Sequence, residues 1–277
     1  MKQMASHKTT GLKRNSLEKY YTKGDVCEAC VRLVQPYINT TDVVIEPSAG
    51  NGSFIPYINR LGIDILCYDI QPEHSTIMKQ DFLTLDLSKI KKKYSAVHII
   101  GNPPFGRQSS MAIKFIKHAS KHADTISFIL PRSFKKESMR SKFPLCFHLV
   151  CETEIQANSF LIDKQEHNVP CVFQIWIKKD IDRIKPVILQ PIGFKFVKKT
   201  DGPDVAFRRV GVYAGNVSTD LTTKNPQSHY FIRFQSRDID ECIKKISQSQ
   251  FNTDNTVGPK SISKQELIHQ YNRLLND

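Results

Sequence analysis

Two consecutive prolines, Pro103 and Pro104, stand just behind the apolar run Ala96-Val97-His98-Ile99-Ile100. Neither has an amide hydrogen and each fixes its own φ, so a central strand cannot pass through them. The chain leaves a buried strand here and sets Asn102, a stiff bend and the Phe105 ring at its end, in the stretch Gly-Asn-Pro-Pro-Phe-Gly over 101–106.

Strand and helix signals alternate around this stop. A helix is predicted from Asp25, as its N-cap, to about Tyr37. Val43-Val44-Ile45 reads as a strand, Phe54 to Leu61 as an apolar-periodic segment, and Asp64 to Ile70 as a second strand. Ala96–Ile100 and Thr125–Leu130 flank a helix over Met111 to His122, and Phe147–Ile155 and Pro170–Ile177 are further strands. Such alternation predicts an α/β fold with a doubly wound, mostly parallel, Rossmann-like sheet. Ligands of these sheets sit outside the carboxyl ends of the strands. From about residue 180 the alternation stops, and short strand-like pieces separated by Gly, Pro, Asn and Ser predict a smaller, mixed or mainly β module closing with a helix near Lys264–Leu275. The organisation expected is a flexible basic arm over 1–19, a main domain over 20–180 and a basic module over 181–277.

The chain has 277 residues, ample for a core, and carries 40 Lys and Arg against 27 Asp and Glu, a net charge of +13. That excess fits a polyanionic partner, through counterion release from each phosphate contacted, and fits a merely soluble basic surface about as well. No apolar run approaches the ~20 residues of a membrane helix, and the N-terminus lacks the apolar stretch of a signal peptide, which predicts an intracellular protein. The 7 cysteines are irregularly placed. Cys27 and Cys30 share one face of the predicted helix with no second ligand pair at zinc spacing, so they read as core, and no metal is expected. Cys171, in a Pro-Cys dipeptide within an apolar run, reads the same way.

Residues 46–52, Glu-Pro-Ser-Ala-Gly-Asn-Gly, form a Gly-containing loop after the first strand. The loop has neither a GxGxxG pattern nor a phosphate-binding lysine, and its strand-end acid suits a cationic or hydroxyl-rich ligand better than pyrophosphate. Asp69 ends the second strand 19 residues after Gly50, where a carboxylate can accept from both hydroxyls of a ribose. Asp81 and Phe82 follow at the end of a third segment. Each acid alone is more often a loop carboxylate; three in order before the diproline bend are not easily coincidental.

Taken together these residues resemble class I S-adenosylmethionine-dependent methyltransferases that modify exocyclic amino groups. Their [DNS]-P-P-[YFW] motif is matched by Asn102-Pro103-Pro104-Phe105. Residues 19–22 resemble the upstream segment that closes over the methionine end of the donor, and 125–134 the strand after the catalytic motif. The resemblance spans residues 19–134, and its motif order is similar to gamma-class DNA adenine-N6 methyltransferases; the NPPF form also occurs in RNA adenine methyltransferases. It implies S-adenosylmethionine as cofactor, bound by Tyr21, Thr22, Glu46, Pro47, Ala49, Gly50, Gly52, Asp69, Ile70, Asp81, Phe82 and Asn102. It implies Asn102, Pro103, Pro104 and Phe105 as the catalytic turn.

The chemistry explains why such a turn would be built. An adenine N6 amine delocalises its lone pair into the ring and is a poor nucleophile. The Asn102 side-chain oxygen and the Pro103 carbonyl can take its two N–H groups and aim the lone pair, an effect of orientation and preorganisation. Phe105 can stack on an unpaired base. Phe160 is either a second stacking ring or a hydrophobic anchor. In the C-terminal module Lys198, Lys199, Arg208 and Arg209 alternate with Phe194, Phe196 and Phe207, which fits nucleic-acid contact or a half-buried sheet equally. Two alternatives stand beside adenine methylation in DNA or RNA: a protein glutamine methyltransferase, whose side-chain amide poses the same problem, and a non-catalytic nucleic-acid-binding relative. Protein partners are not legible.

Overall fold

The structure, a computed structural model, describes residues 20–251 and 260–276. The arm expected over 1–19, including Lys19 of the upstream segment, lies outside them. The first half of the chain gives β1 (Tyr21–Thr22), α1 (Gly24–Val34), β2 (Val43–Glu46), α2 (Ile55–Asn59), β3 (Asp64–Asp69), β4 (Met78–Lys79), α3 (Leu87–Lys91), β5 (Val97–Gly101), α4 (Ser110–Ala119) and β6 (Thr125–Pro131). There follow α5 (Glu137–Arg140), β7 (Phe147–Glu154), β8 (Phe160–Ile162), β9 (Gln165–His167) and β10 (Cys171–Lys178).

Seven strands form one sheet in the order β4-β3-β2-β5-β6-β10-β7. The pairs from β4 through β6 are parallel, and β10 inserts antiparallel between β6 and β7. This is the class I methyltransferase arrangement, a Rossmann-like sheet. Every residue of β2, β5 and β6 is buried, as expected of interior strands covered on both faces. Side chains alternate across the sheet: Val43, Ile45, Val97, Ile99 and Phe128 join α4 in one core, while Val44, Ile100, Ile129 and Phe173 join α1 in the other.

Several local expectations are corrected. Asp25 lies inside the first turn of α1, which starts at Gly24 with Lys23 at the N-cap; an acid there still suits the helix dipole. The α-helix stops at Val34, and a separate tight turn with Pro36 near its start covers Gln35–Tyr37, because proline cannot supply the amide that an uninterrupted helix would use. Cys27, Cys30 and Cys171, by contrast, are core residues as expected, at most 2% exposed, and burial pushes their thiols up. The stretch around Phe160 is a β-hairpin, β8 paired antiparallel with β9. Its tip, Asp163 and Lys164, takes φ of 49° and 65°, and no glycine announces it.

The C-terminal module is a four-stranded sheet ordered β11-β14-β12-β13, from β11 (Phe194–Val197), β12 (Val205–Arg208), β13 (Val217–Ser218) and β14 (His229–Phe234). Helices α6 (Ile239–Ser247) and α7 (Lys264–Asn276) cover it. Phe194, Phe207, Ile232, Leu267 and Tyr271 form its own core. Among the described residues no helix is long and apolar enough to cross a membrane.

Candidate active site

The carboxyl ends of β2, β3 and β5 lie side by side, since Ile45 pairs with both Leu66 and Ile99. The loop after β2 is pinned to its neighbours by the backbone. Gly50 N donates to Asp69 Oδ2 at 2.8 Å, and Gln71 N to Asp69 Oδ1 at 2.7 Å. Ser48 Oγ donates to the Asn102 carbonyl at 3.1 Å. The Gly50 loop, Asp69 and the diproline turn are thereby brought together.

Gly50 has φ of +53°, and a Cβ there would lie 3.4 Å from Tyr21 Cε1. Left-handed backbone costs other residues roughly 1–2 kcal/mol. Gly50→Ala is therefore expected to lower stability by about 1–2 kcal/mol in urea denaturation, with unchanged stability counting against this conformation. Pro47, Ala49 and Gly52 are buried in the same turn, while Ile70 is 52% exposed beyond Asp69.

Glu46 is buried, and its one hydrogen bond among the described residues is weak, from Cys67 Sγ at 3.9 Å. Burial, and then the nearby Asp69 charge, hold its carboxyl well above the usual carboxylate range. Asp81 is exposed and accepts from Leu83 N at 2.9 Å. Phe82 departs from expectation. It is 1% exposed, stacked on Phe115 at 5.2 Å and met edge-on by His118 at 5.0 Å, so its face is spent in the core and is not free for a ligand.

The turn after β5 is rigid. Pro103 is buried and Pro104 exposed, while Phe105 is half-buried, packed against both cores. The Phe105 carbonyl accepts from Met111 N at 3.1 Å and Ala112 N at 3.4 Å, tying the turn to α4. Gly106 at φ +68° could not be otherwise, because a Cβ would stand 2.8 Å from Met111 Cγ and 3.1 Å from its backbone nitrogen. Gln108 and Ser109 then take φ of 53° and 60° in succession, a concentration of backbone strain of the kind found at functional sites.

The N-terminal segment closes over this edge. β1 pairs antiparallel with β8, Tyr21 opposite Leu161 and Thr22 opposite Phe160. Tyr21 Oη donates to Glu73 Oε1 at 2.6 Å, and burial together with Glu73 raises its hydroxyl pKa. Asn102 Nδ2 donates to Thr22 Oγ1 at 3.2 Å and to the Tyr20 carbonyl at 3.4 Å. Phe160 is 1% exposed and is a hydrophobic anchor; the stacking role is withdrawn, since a ring enclosed by core atoms presents no face to a base.

Among the described residues, Lys199, Arg208 and Arg209 bond within the C-terminal module and not to this site. Lys199 Nζ donates to the carbonyls of Thr222 and Lys224, Arg208 Nε to that of Val210, and an Arg209 Nη to that of Gln227. They fasten loops, and Lys198 is exposed. Phe194 and Phe207 are buried and offer no stacking surface. Sequence reasoning passed over a cluster at the same edge of the main sheet: Arg132 and Lys135 both reach Glu154, at 3.3 and 2.7 Å. Its only signal was basic residues just after a buried strand, which the diproline turn overshadowed.

No family model matches the chain, and no curated protein does. Solved structures do. A provisionally assigned RNA methyltransferase from Pyrococcus horikoshii aligns at 21% identity and a TM-score of 0.42, over 61% of this chain and 92% of its own. The modification subunit of a provisionally assigned type I restriction enzyme from Vibrio vulnificus aligns at 14% and 0.45, over 88% of this chain and 55% of its own. Magnesium protoporphyrin IX methyltransferase from Synechocystis, solved with bound S-adenosylmethionine, aligns at 16% and 0.41, over 56% and 79%. Likenesses of this size carry no argument about activity; the fold rests on the strand order of this chain.

Proposed function

We propose that this chain transfers a methyl group from S-adenosylmethionine to the N6 amino group of adenine in a nucleic acid, DNA ahead of RNA. The observation that carries this is the joining of the Gly50 loop to the diproline turn through Ser48 and Asn102. The residues present suit the cofactor: a buried carboxyl at Glu46 without a cationic partner among the described residues, beside a turn whose Gly50 takes the left-handed φ of +53° next to the Tyr21 ring.

S-adenosylmethionine, when bound, supplies an electrophilic methyl on a sulfonium. Glu46 and the backbone of 47–52 would hold its methionine end, Asp69 its ribose, Asp81 its adenine amino group, and Ile70 the apolar face that Phe82 does not offer. Asn102 Oδ1 and the Pro103 carbonyl would accept from the two N–H groups of the target amine and fix its direction. Most of the benefit is orientation and electrostatic preorganisation in a site where the acceptors need not move. Phe105 would stack on the unpaired base. The net charge of +13 supports a phosphate-rich substrate, and the separate C-terminal module, together with the motif order, supports DNA.

The direct test is mass spectrometry of nucleosides after the purified protein has reacted with DNA and RNA. N6-methylated adenine is expected, more in DNA; methyl on protein glutamine alone, or no heat in a donor titration, would overturn the proposal.

Glu46 adds a pH signature. A carboxyl raised in the folded protein favours the fold below its ordinary pKa, and that contribution disappears as pH rises through the raised value. The ammonium of the methionine end favours the ionised form, so binding expels a proton where Glu46 is protonated in the free protein and ionised in the complex. Donor affinity is then expected to rise with pH up to the raised value and flatten above it. Calorimetry in buffers of different ionisation heat should show the released proton, and Glu46→Gln should abolish it; an equal release in that variant would refute the assignment.

A further inference from the structure

We infer that Thr22 is a positioning residue for the transfer, holding the Asn102 amide in the one orientation that presents Oδ1 to the amine; this rests on the function proposed above. An asparagine side chain can turn over and exchange its oxygen for its NH2 with little change of shape. With NH2 facing the substrate amine, two donors would confront each other and the turn would be useless. One contact decides the orientation here, and a second holds the amide in it. The Tyr20 carbonyl, 3.4 Å from Nδ2, can only accept, so the group facing it must be the NH2. Thr22 Oγ1, at 3.2 Å, accepts on the same nitrogen. Among the described residues both side-chain bonds of Asn102 are thus made by Nδ2, which leaves Oδ1 for an incoming donor.

The acceptors are themselves held. Thr22 is 5% exposed and its carbonyl takes a weak bond from Cys27 Sγ at 3.8 Å. A two-residue strand has no stability of its own, and β1 is kept in place by the β8–β9 hairpin. Thr22 pairs with Phe160, Lys23 N donates to the Ser159 carbonyl at 3.0 Å, and Lys23 Nζ meets Glu166 at 2.6 Å. The Tyr20 ring stands edge-on to Phe160 and His167, each at 6.4 Å. The resemblance assigned Thr22 to the donor; its hydroxyl instead faces the catalytic asparagine, and the hairpin becomes the brace behind it.

The test compares Thr22→Val, which keeps the shape and loses the acceptor, with Thr22→Ser, which keeps the acceptor. Thr22→Val is expected to lower kcat about tenfold, the worth of one well-placed hydrogen bond, with KM and donor Kd within about twofold. Thr22→Ser should recover kcat to within about threefold of the native value. Independently of activity, the Asn102 side-chain NH2 resonances of selectively labelled, donor-free protein should exchange slowly with solvent in the native and Ser forms and quickly in the Val form. If Thr22→Val lowers the melting temperature appreciably, Thr22→Ala serves in its place. A native protein without methyl transfer refutes the proposed function; an active native protein whose Thr22→Val form keeps full kcat and slow exchange refutes this inference alone.

Discussion

Asn102→Ala is expected to lower kcat by about 10²–10³-fold, the usual consequence of removing one preorganised hydrogen-bonding group from a reacting centre. Donor affinity is expected to stay within a few-fold. The separation follows from which atoms do what. Ser48 Oγ bonds the backbone carbonyl of Asn102, which alanine retains. Asp69 is fixed by the amides of Gly50 and Gln71, which the substitution does not touch. Only the acceptor Oδ1 and the donor Nδ2 are lost, and the diproline bend keeps its course. Single-turnover kinetics beside a donor titration would measure both quantities. Near-native turnover would show that the amine is not activated by this side chain, and a collapse of donor affinity would give Asn102 a part in building the loop.

Trp176→Ala should be the most damaging single change to the fold. The ring is 1% exposed and stacked on Phe143, centroids 4.0 Å apart and planes 11° from parallel. Arg183 lies over it at 4.9 Å. Removing a buried aromatic of this size costs about 3–5 kcal/mol in lost burial and residual cavity. The loss does not end there, because Trp176 Nε1 donates to Gln174 Oε1 at 2.9 Å, and Gln174 is wholly buried, with Nε2 given to the Phe134 carbonyl and Glu152. An unpaired buried acceptor adds roughly 1–3 kcal/mol. A fall in melting temperature of about 10 °C or more is expected for a chain of this size, read by circular dichroism because Trp176 is the only tryptophan. A loss below about 1 kcal/mol would mean that β10 is not the keystone its place between β6 and β7 implies.

Charge and fold meet differently in the two halves of the molecule. In the main sheet the carboxyl edge gathers titratable groups that no core requires: Glu46, Asp69, and the Arg132–Lys135–Glu154 cluster. In the C-terminal module Lys199, Arg208 and Arg209 are bound to backbone carbonyls. They remain cations and still attract phosphate at long range, but as loop fasteners their removal would cost structure as well as binding.

The order of strands and helices was legible because it is written locally. Pro103-Pro104 had to end β5, the unbroken apolar runs of β2, β5 and β6 had to be covered on both faces, and glycine at 50 and 52 had to mark a turn with φ of 53° and 82°. These follow from sterics and periodicity within a few residues. Which face a ring turns was not legible: Phe82 and Phe160 carry the same side chain as Phe105, yet both are spent in the cores. Nor was the brace on Asn102, whose partner Thr22 stands 80 residues away in the chain. Strand pairing brings such groups together, and neither residue type nor spacing encodes a register between β1 and a hairpin that no glycine marks. The chemistry a side chain can perform is local, whereas the atom it faces is set by packing over the whole molecule.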